Sequence, residues 1–532
     1  MKLIRTMITA ALAASALSGA VAAAAELGPE IAIATGSVRG MPRDPLGVLS
    51  FKGIPFATPP VGALRWRAPQ PVRRWSGTRD AASFGNRCLT AWEADREPGP
   101  PRSEDCLTLN VWTVSQRPGE KRPVMVWIHG GGFQFGSSAS PQFGGAPLSA
   151  KGVVVVTLNY RVGVFGFLAH PDLDREGPSG DYGLQDQLAA LRWIKVNIAR
   201  FGGDPANVTI FGESAGAHAI GILMASPLSK GLFHKAIGAS GAFWDGRDGA
   251  LEGFDGSRAR GVAFARRVGA SSIAAMRAMP ATVVNAAALW NFSTNPAVTA
   301  FSPNVDHYVV PEVPAARFVQ GRQMHVSLLA GWNEVEQFPF DALGLPHRNA
   351  AEFRAAAERM VGPDRLAEFL QLYPANTDAE ANAAAGAFTG DIVIGEQTWQ
   401  WLELQRKTAR APVFGYKFTY TSPYTPIASH ITDVPFVFGT LTPQFIIGSK
   451  SPPSADDRAL SDKLMAYWVN FAAKGDPNGP GLPVWPAYEA GGLIQELGTT
   501  IAPRVNPQLK RFRFIASFRN RGVFPTRWRY LP

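Results

Sequence analysis

One pentapeptide constrains this chain more than any other feature. Gly212-Glu213-Ser214-Ala215-Gly216 stands between a short β-branched and aromatic run, Val208-Thr209-Ile210-Phe211, and a small-residue stretch of helical character that runs toward Pro227. A Gly-x-Ser-x-Gly match arises by chance roughly 0.3 times in a chain this long and glycine-rich, so its flanks decide its meaning. A strand entering and a helix leaving define a sharp turn that projects the serine hydroxyl. Side chains at 212 and 216 would collide with neighbouring backbone, which only glycine avoids. Ser214 is therefore the candidate nucleophile, and the helix that follows aims N–H groups and a positive dipole end at it, beginning with Ala215.

Such a turn needs a sheet, and the first half of the chain supplies one. Residues 123–129 (PVMVWIH) and 153–160 (VVVVTLNY) are near-continuous apolar runs, as in central strands covered on both faces. From Gly183, Leu184, Leu188, Leu191, Ile194, Ile198 and Phe201 recur at helical spacing until Gly202-Gly203 stops them. Ser454 caps a later helix carrying Leu460, Leu464, Trp468 and Phe471, which Gly475 closes. Strands alternating with crossover helices predict an α/β fold with a mostly parallel twisted sheet and helices on both faces. With 46% hydrophobic and 18% charged residues the chain buries a large core and is not a disordered protein. Residues 245–320 and 341–425, rich in Ala, Pro and Gly with mixed periodicity, are expected to be helical cap insertions. No linker divides residues 26–532, which read as one domain.

His129-Gly130-Gly131-Gly132-Phe133 closes the first of the central strands. Consecutive glycines let backbone N–H groups approach a substrate oxygen, and Gly131, Gly132 and Ala215 are the expected oxyanion donors. In the chain order that accompanies such a turn the acid follows the serine and the histidine comes last. Of eight histidines only His347 and His430 follow a plausible acid, and His430 is the expected base, His347 reading as a surface residue. The strand-like stretch 325–331 ends just before Glu334 and Glu336; either carboxylate could orient the imidazole, and Glu336 is favoured. Neither a phosphate loop nor a clustered metal-ligand set accompanies these residues, so no cofactor and no metal are expected.

The chain resembles the type B carboxylesterases, the α/β-hydrolase family that includes the cholinesterases. The resemblance rests on Phe51-Lys52-Gly53-Ile54-Pro55-Phe56, Ser103-Glu104-Asp105-Cys106-Leu107, the HGGGF loop, the stretch 183–216 and Gly475-Asp476-Pro477-Asn478-Gly479. It implies a Ser-Glu-His triad at Ser214, Glu336 and His430, and a disulfide between Cys88 and Cys106. Three positions depart from the family pattern: Val335 and Gln337 replace the Asp and Gly that usually flank the acid, and Asp433 stands where Glu commonly follows the histidine. The expected activity is carboxylic-ester hydrolysis through an acyl-enzyme. Neutral-ester or carbamate hydrolysis is the alternative, and a non-catalytic cholinesterase-like binding protein a remote one. Phe133, Trp244, Trp290, Phe292 and Phe338, beside these motifs, are candidate pocket walls.

Residues 1–25 read as a secretory signal, with Lys2 and Arg5, an apolar run and small residues at Ala22 to Ala25. A secreted or periplasmic location follows, with no membrane span in the mature chain. Cys88 and Cys106 are the only cysteines and are expected to pair in an oxidising compartment. The formal charge of +10 becomes +8 once a leader carrying two cations and no acid is removed. Arginines 511, 513, 519, 521, 527 and 529 crowd the C-terminus. Without a nucleic-acid motif they read as a solvated basic face, and the partner expected is a small-molecule ester. Steering by positive charge would suit an ester bearing free carboxylates, and some members of the family hydrolyse the tricarballylate esters of fumonisins.

Overall fold

The computed structural model describes residues 28–90, 99–242, 251–289, 301–336 and 349–519. At its centre lie ten strands: β1 (Leu49–Pro55), β2 (Thr108–Thr113), β3 (Arg122–Ile128), β4 (Val154–Leu158), β5 (Gly203–Glu213), β6 (Lys235–Ala239), β7 (Ser327–Asn333), β8 (Val413–Phe418), β9 (Leu493–Leu497) and β10 (Ile501–Val505). They stand side by side in the order β10-β9-β8-β7-β6-β5-β3-β4-β2-β1. Every neighbouring pair from β4 to β9 is parallel. Antiparallel pairing is confined to β1-β2, β2-β4 and β9-β10 at the two edges. This is the α/β-hydrolase architecture.

Both faces of the sheet are covered, which is why its strands are apolar throughout instead of alternating. Along β3, Val124, Val126 and Ile128 enter one core layer while Met125 and Trp127 enter the other. The first layer is roofed by α1 (Tyr182–Asn197) and α2 (Ala215–Ala225). Further along the chain, α3 (Asp378–Gly390) leads into α4 (Glu396–Thr408), whose Trp401 and Leu402 complete that layer. On the opposite face α5 (Ala455–Lys474) presents Leu460, Leu464, Trp468 and Phe471. There Trp127 meets Phe143, Phe211 and Phe438 at ring distances of 4.9, 4.9 and 5.0 Å, contacts worth about 0.5–1.5 kcal/mol each beyond area burial. A satellite core joins α3 to the C-terminal helix α6 (Leu509–Arg519) through Phe388, Phe514 and Phe518.

The runs at 123–129 and 153–160 form β3 and β4. The helix expected from Gly183 is α1, extended by a tighter turn at Ile198–Phe201 that Gly202 ends at φ 81°. Ser454 and Asp457 cap α5 reciprocally, and Gly475 closes it at φ 77°. The segment expected as a cap insertion over 341–425 needs correcting. Its described part is helical only to Thr408, and Val413–Phe418 is a fully buried strand of the central sheet. Lys417 and two small or polar neighbours mask that strand in the sequence, yet Lys417 pairs with Glu334 at 2.7 Å and is itself buried. Between 251 and 320 the described residues include the helices Phe254–Arg267, Ile273–Ala278, Ala281–Ala287 and Pro314–Val319. No helix among the described residues is long and apolar enough to cross a membrane.

Candidate active site

β5 ends at Glu213 between β3 and β6, and the chain turns at once into α2. Ser214 occupies the turn at φ 53°, ψ −124°, a left-handed conformation that costs a non-glycine residue about 1–3 kcal/mol. Its own N–H donates to the Ala239 carbonyl at 2.9 Å, which ties the strained residue to the end of β6. Close approach explains the flanking glycines. A Cβ at Gly212 would lie 2.7 Å from the Ile128 carbonyl oxygen, and one at Gly216 only 2.0 Å from it. Helix α2 thus rests its first turn directly on the end of β3.

The loop that leaves β3 faces this turn. Gly131 has φ 105°, and a Cβ there would sit 2.3 Å from the Phe135 carbonyl oxygen. Gly132 follows at φ 59°, and both glycines are half-buried. Ala215 opens α2, where the first N–H groups have no intrahelical acceptor. Behind the loop His129 stacks on Tyr160 at 4.4 Å, with its Nδ1 at 2.9 Å from the Gly130 carbonyl oxygen. Burial brings the His129 pKa down to about 4, so its ring is neutral and structural. Phe133, expected on a pocket wall, is instead fully buried and packs edge-on against Phe167 at 5.4 Å; it holds the loop from behind. Trp244, Trp290, Phe292, Phe338 and His347 lie outside the described residues.

His430 stands on a loop that is laced to the chain beyond β7: the Val335 N–H donates to the Ala428 carbonyl, and Val335 bridges Ser429. Its Nδ1 lies 2.5 Å from Glu336 Oε2. The other carboxylate oxygen, Oε1, accepts from the Ser240 hydroxyl and the Asn333 N–H, each at 2.6 Å. Asn333 Nδ2 in turn donates to Ser240 Oγ at 3.1 Å and to Asp433 Oδ1 at 3.2 Å, and Tyr416 donates its hydroxyl to Asp433 Oδ2 at 2.7 Å. Glu334 turns away, half exposed, to Lys417. Of the two candidate carboxylates, then, Glu336 is the one beside the imidazole.

The model of the Carboxylesterase family matches residues 28–512. The chain belongs to this family. Fumonisin B1 esterase of Sphingopyxis macrogoltabida is 38% identical over 480 residues, covering 88% of this chain and 86% of that protein. Para-nitrobenzyl esterase of Bacillus subtilis (strain 168) is 34% identical over 464 residues, covering 85% and 91%. Among solved structures a thermophilic pNB esterase superposes with a TM-score of 0.78 at 31% identity, over 91% of this chain and 99% of that one. The chain is thus a carboxylesterase, a hydrolase of carboxylic esters.

This carboxylesterase carries around its histidine several groups that the sequence did not single out. Glu213, quoted above only as part of the turn, is buried with Oε1 at 3.2 Å from His430 Nε2. Burial pushes its pKa up, opposed by the charge of His430. Burial also works against a charged His430, but Glu213, Glu336 and Asp433 together outweigh it and raise the imidazole above its ordinary range. Ser240, Asn333, Tyr416 and Asp433 were missed because they lie far apart in the sequence and only the parallel register of β6, β7 and β8 gathers them. Cys88 and Cys106 are joined in a disulfide.

Proposed function

We propose that Ser214 is the nucleophile, His430 its general base and Glu336 the carboxylate that fixes the imidazole tautomer. The observation that carries this reading is the 2.5 Å contact between His430 Nδ1 and Glu336, next to a serine held at φ 53° on a strand-to-helix turn. His430 takes the Ser214 proton as Oγ attacks the ester carbonyl carbon. The N–H groups of Gly131, Gly132 and Ala215 receive the oxyanion, and collapse of the tetrahedral intermediate expels the alcohol, which takes up the proton from His430. Water, deprotonated by the same histidine, then releases the acid and restores Ser214. The imidazolium formed in each half has carboxylates beside both nitrogens, Glu336 at Nδ1 and Glu213 at Nε2, which favours the charge that the reaction creates. Ser214→Ala is expected to abolish ester turnover while the protein remains folded; turnover within tenfold of the parent contradicts the assignment.

The substrate class proposed is an ester bearing free carboxylates, processed outside the cytoplasm after removal of residues 1–25. A mature charge of +8 supports it, as does a relative whose name assigns it the esters of fumonisin B1. A positive potential over the pocket mouth raises encounter with anions and is screened by salt. Matched anionic and neutral esters, compared by kcat/KM between low and moderate ionic strength, test it: salt is expected to slow only the anionic one. Equal response, or none, supports instead a neutral-ester hydrolase.

A further inference from the structure

Gly390 ends α3 at φ −61°, ψ −42°, a helical conformation open to every residue, so its backbone does not call for glycine. Its neighbour does. A Cβ on Gly390 would lie 2.8 Å from the carbonyl oxygen of Glu336, 2.9 Å from its carbonyl carbon and 3.1 Å from its Cβ. The two closest atoms are backbone, so no flexible side chain is there to yield. A methyl at 390 has to displace either the helix or the main chain of Glu336.

Directly after Gly390 the helix widens into a single π-helical turn, Asp391–Gly395, before narrowing again into α4. Such turns are rare, and when they occur inside α-helices they accompany functional sites often enough to warrant a cause. This one is pinned in place. The buried Asp391 accepts from the Tyr373 hydroxyl at 2.7 Å, from Gln508 Nε2 at 2.9 Å and from Arg511 Nη2 at 2.8 Å, and its Oδ2 is ion-paired with Arg511 Nε at 2.6 Å. Gln508 in turn accepts from the Trp332 indole at 2.8 Å. Trp332 precedes Asn333, whose N–H holds the Glu336 carboxylate. The turn, the C-terminal helix and the acid-bearing end of β7 therefore form one connected unit.

We propose that this π-turn is a positioning element for the triad acid and that it acts through Gly390: the widened turn sets the helix so that bare backbone, not a side chain, seats the main chain of Glu336. The depth of that seat fixes where the carboxylate meets His430. The proposal rests on Glu336 being the triad acid. Gly390→Ala is a positioning change, not the removal of a reacting group, and should act only through the carboxylate it seats.

The test is a double-mutant cycle of Gly390→Ala and Glu336→Gln, read by kcat, KM, pH profile and thermal melting. Gly390→Ala alone is expected to lower kcat roughly 10- to 100-fold with KM within about twofold. In the Glu336→Gln background the same change should cost less than about twofold, because the carboxylate it positions is already gone. The acid limb of kcat/KM should also move to lower pH in Gly390→Ala, since a weaker contact with Glu336 lowers the pKa of His430. A folded Gly390→Ala enzyme with unchanged kcat, or with the same loss in both backgrounds, overturns the proposal. Should Gly390→Ala fail to fold, Asp391→Asn takes its place: a loss of kcat that depends on Glu336 supports the seat, and an unchanged kcat overturns it. If Glu336→Gln itself leaves turnover intact, the triad reading falls and the proposal with it; a Glu336-dependent enzyme indifferent to Gly390 and Asp391 overturns the proposal alone.

Discussion

His430 sits between two buried carboxylates, one at each ring nitrogen, and that placement makes a signed prediction. The imidazole is raised above its ordinary range, so it keeps its proton to higher pH and becomes a base only as pH rises through that value. Glu213→Gln removes the charge facing Nε2, so the acid limb of kcat/KM should move to lower pH; a limb that stays or moves upward contradicts the electrostatic reading. The two candidate acids separate by a second measurement. Glu336→Gln should lower kcat by about 10³- to 10⁴-fold by losing the tautomer, while Glu334→Gln, which loses only the pair with Lys417, should stay within about threefold. At this scale the sequence narrows the proposed triad to Ser214, His430 and Glu336, because a turn signature and a chain order leave few candidates. Ser240 and Asn333 were not: a serine and an asparagine at strand ends have no local mark, and their meeting at Glu336 depends on β6 and β7 lying in register with Ala239 opposite Gly331.

Elements were legible where composition and period agreed. β3 and β4 announced themselves as apolar runs, and α1 and α5 as amphipathic repeats with glycine stops. β8 did not, because its sequence Val-Phe-Gly-Tyr-Lys-Phe mixes a glycine and a lysine into a fully buried strand; the glycine makes room for Ile494, Leu402 and Tyr488. The strand that carries Ser214 also runs further than its apolar core, through Gly212 and Glu213, so that the turn begins only at the serine itself. The junction of β5 and α2 should be intolerant of added volume. Gly216→Ala places a methyl 2.0 Å from the Ile128 carbonyl, and chemical denaturation is expected to show a loss of about 1–3 kcal/mol or failure to fold. A variant as stable as the parent would mean that α2 does not rest on β3 as described.

Over the whole molecule, a ten-stranded sheet buried on both faces positions one edge of loops, and the groups of the site come from the ends of β3, β5, β6 and β7, from Tyr416 within β8 and from the segment that follows β8. The sequence disclosed that architecture through its alternation of strands and helices, but not where the surplus positive charge lies, since charge has no address until the chain is folded. The Cys88–Cys106 bridge closes a loop of sequence separation 18, and its removal by paired Cys→Ser changes is expected to cost about 3 kcal/mol of stability with little change in kcat. Whether the sheet, the turn and the histidine together make a covalent catalyst is decided by one experiment: reaction with a fluorophosphonate, in which Ser214 Oγ displaces fluoride from phosphorus, followed by peptide mass mapping. A single adduct on the peptide containing Ser214, formed in parallel with loss of esterase activity and slowed at least 100-fold in His430→Ala, is the expected result. An adduct on another residue, or full inactivation with Ser214 unmodified, would contradict it.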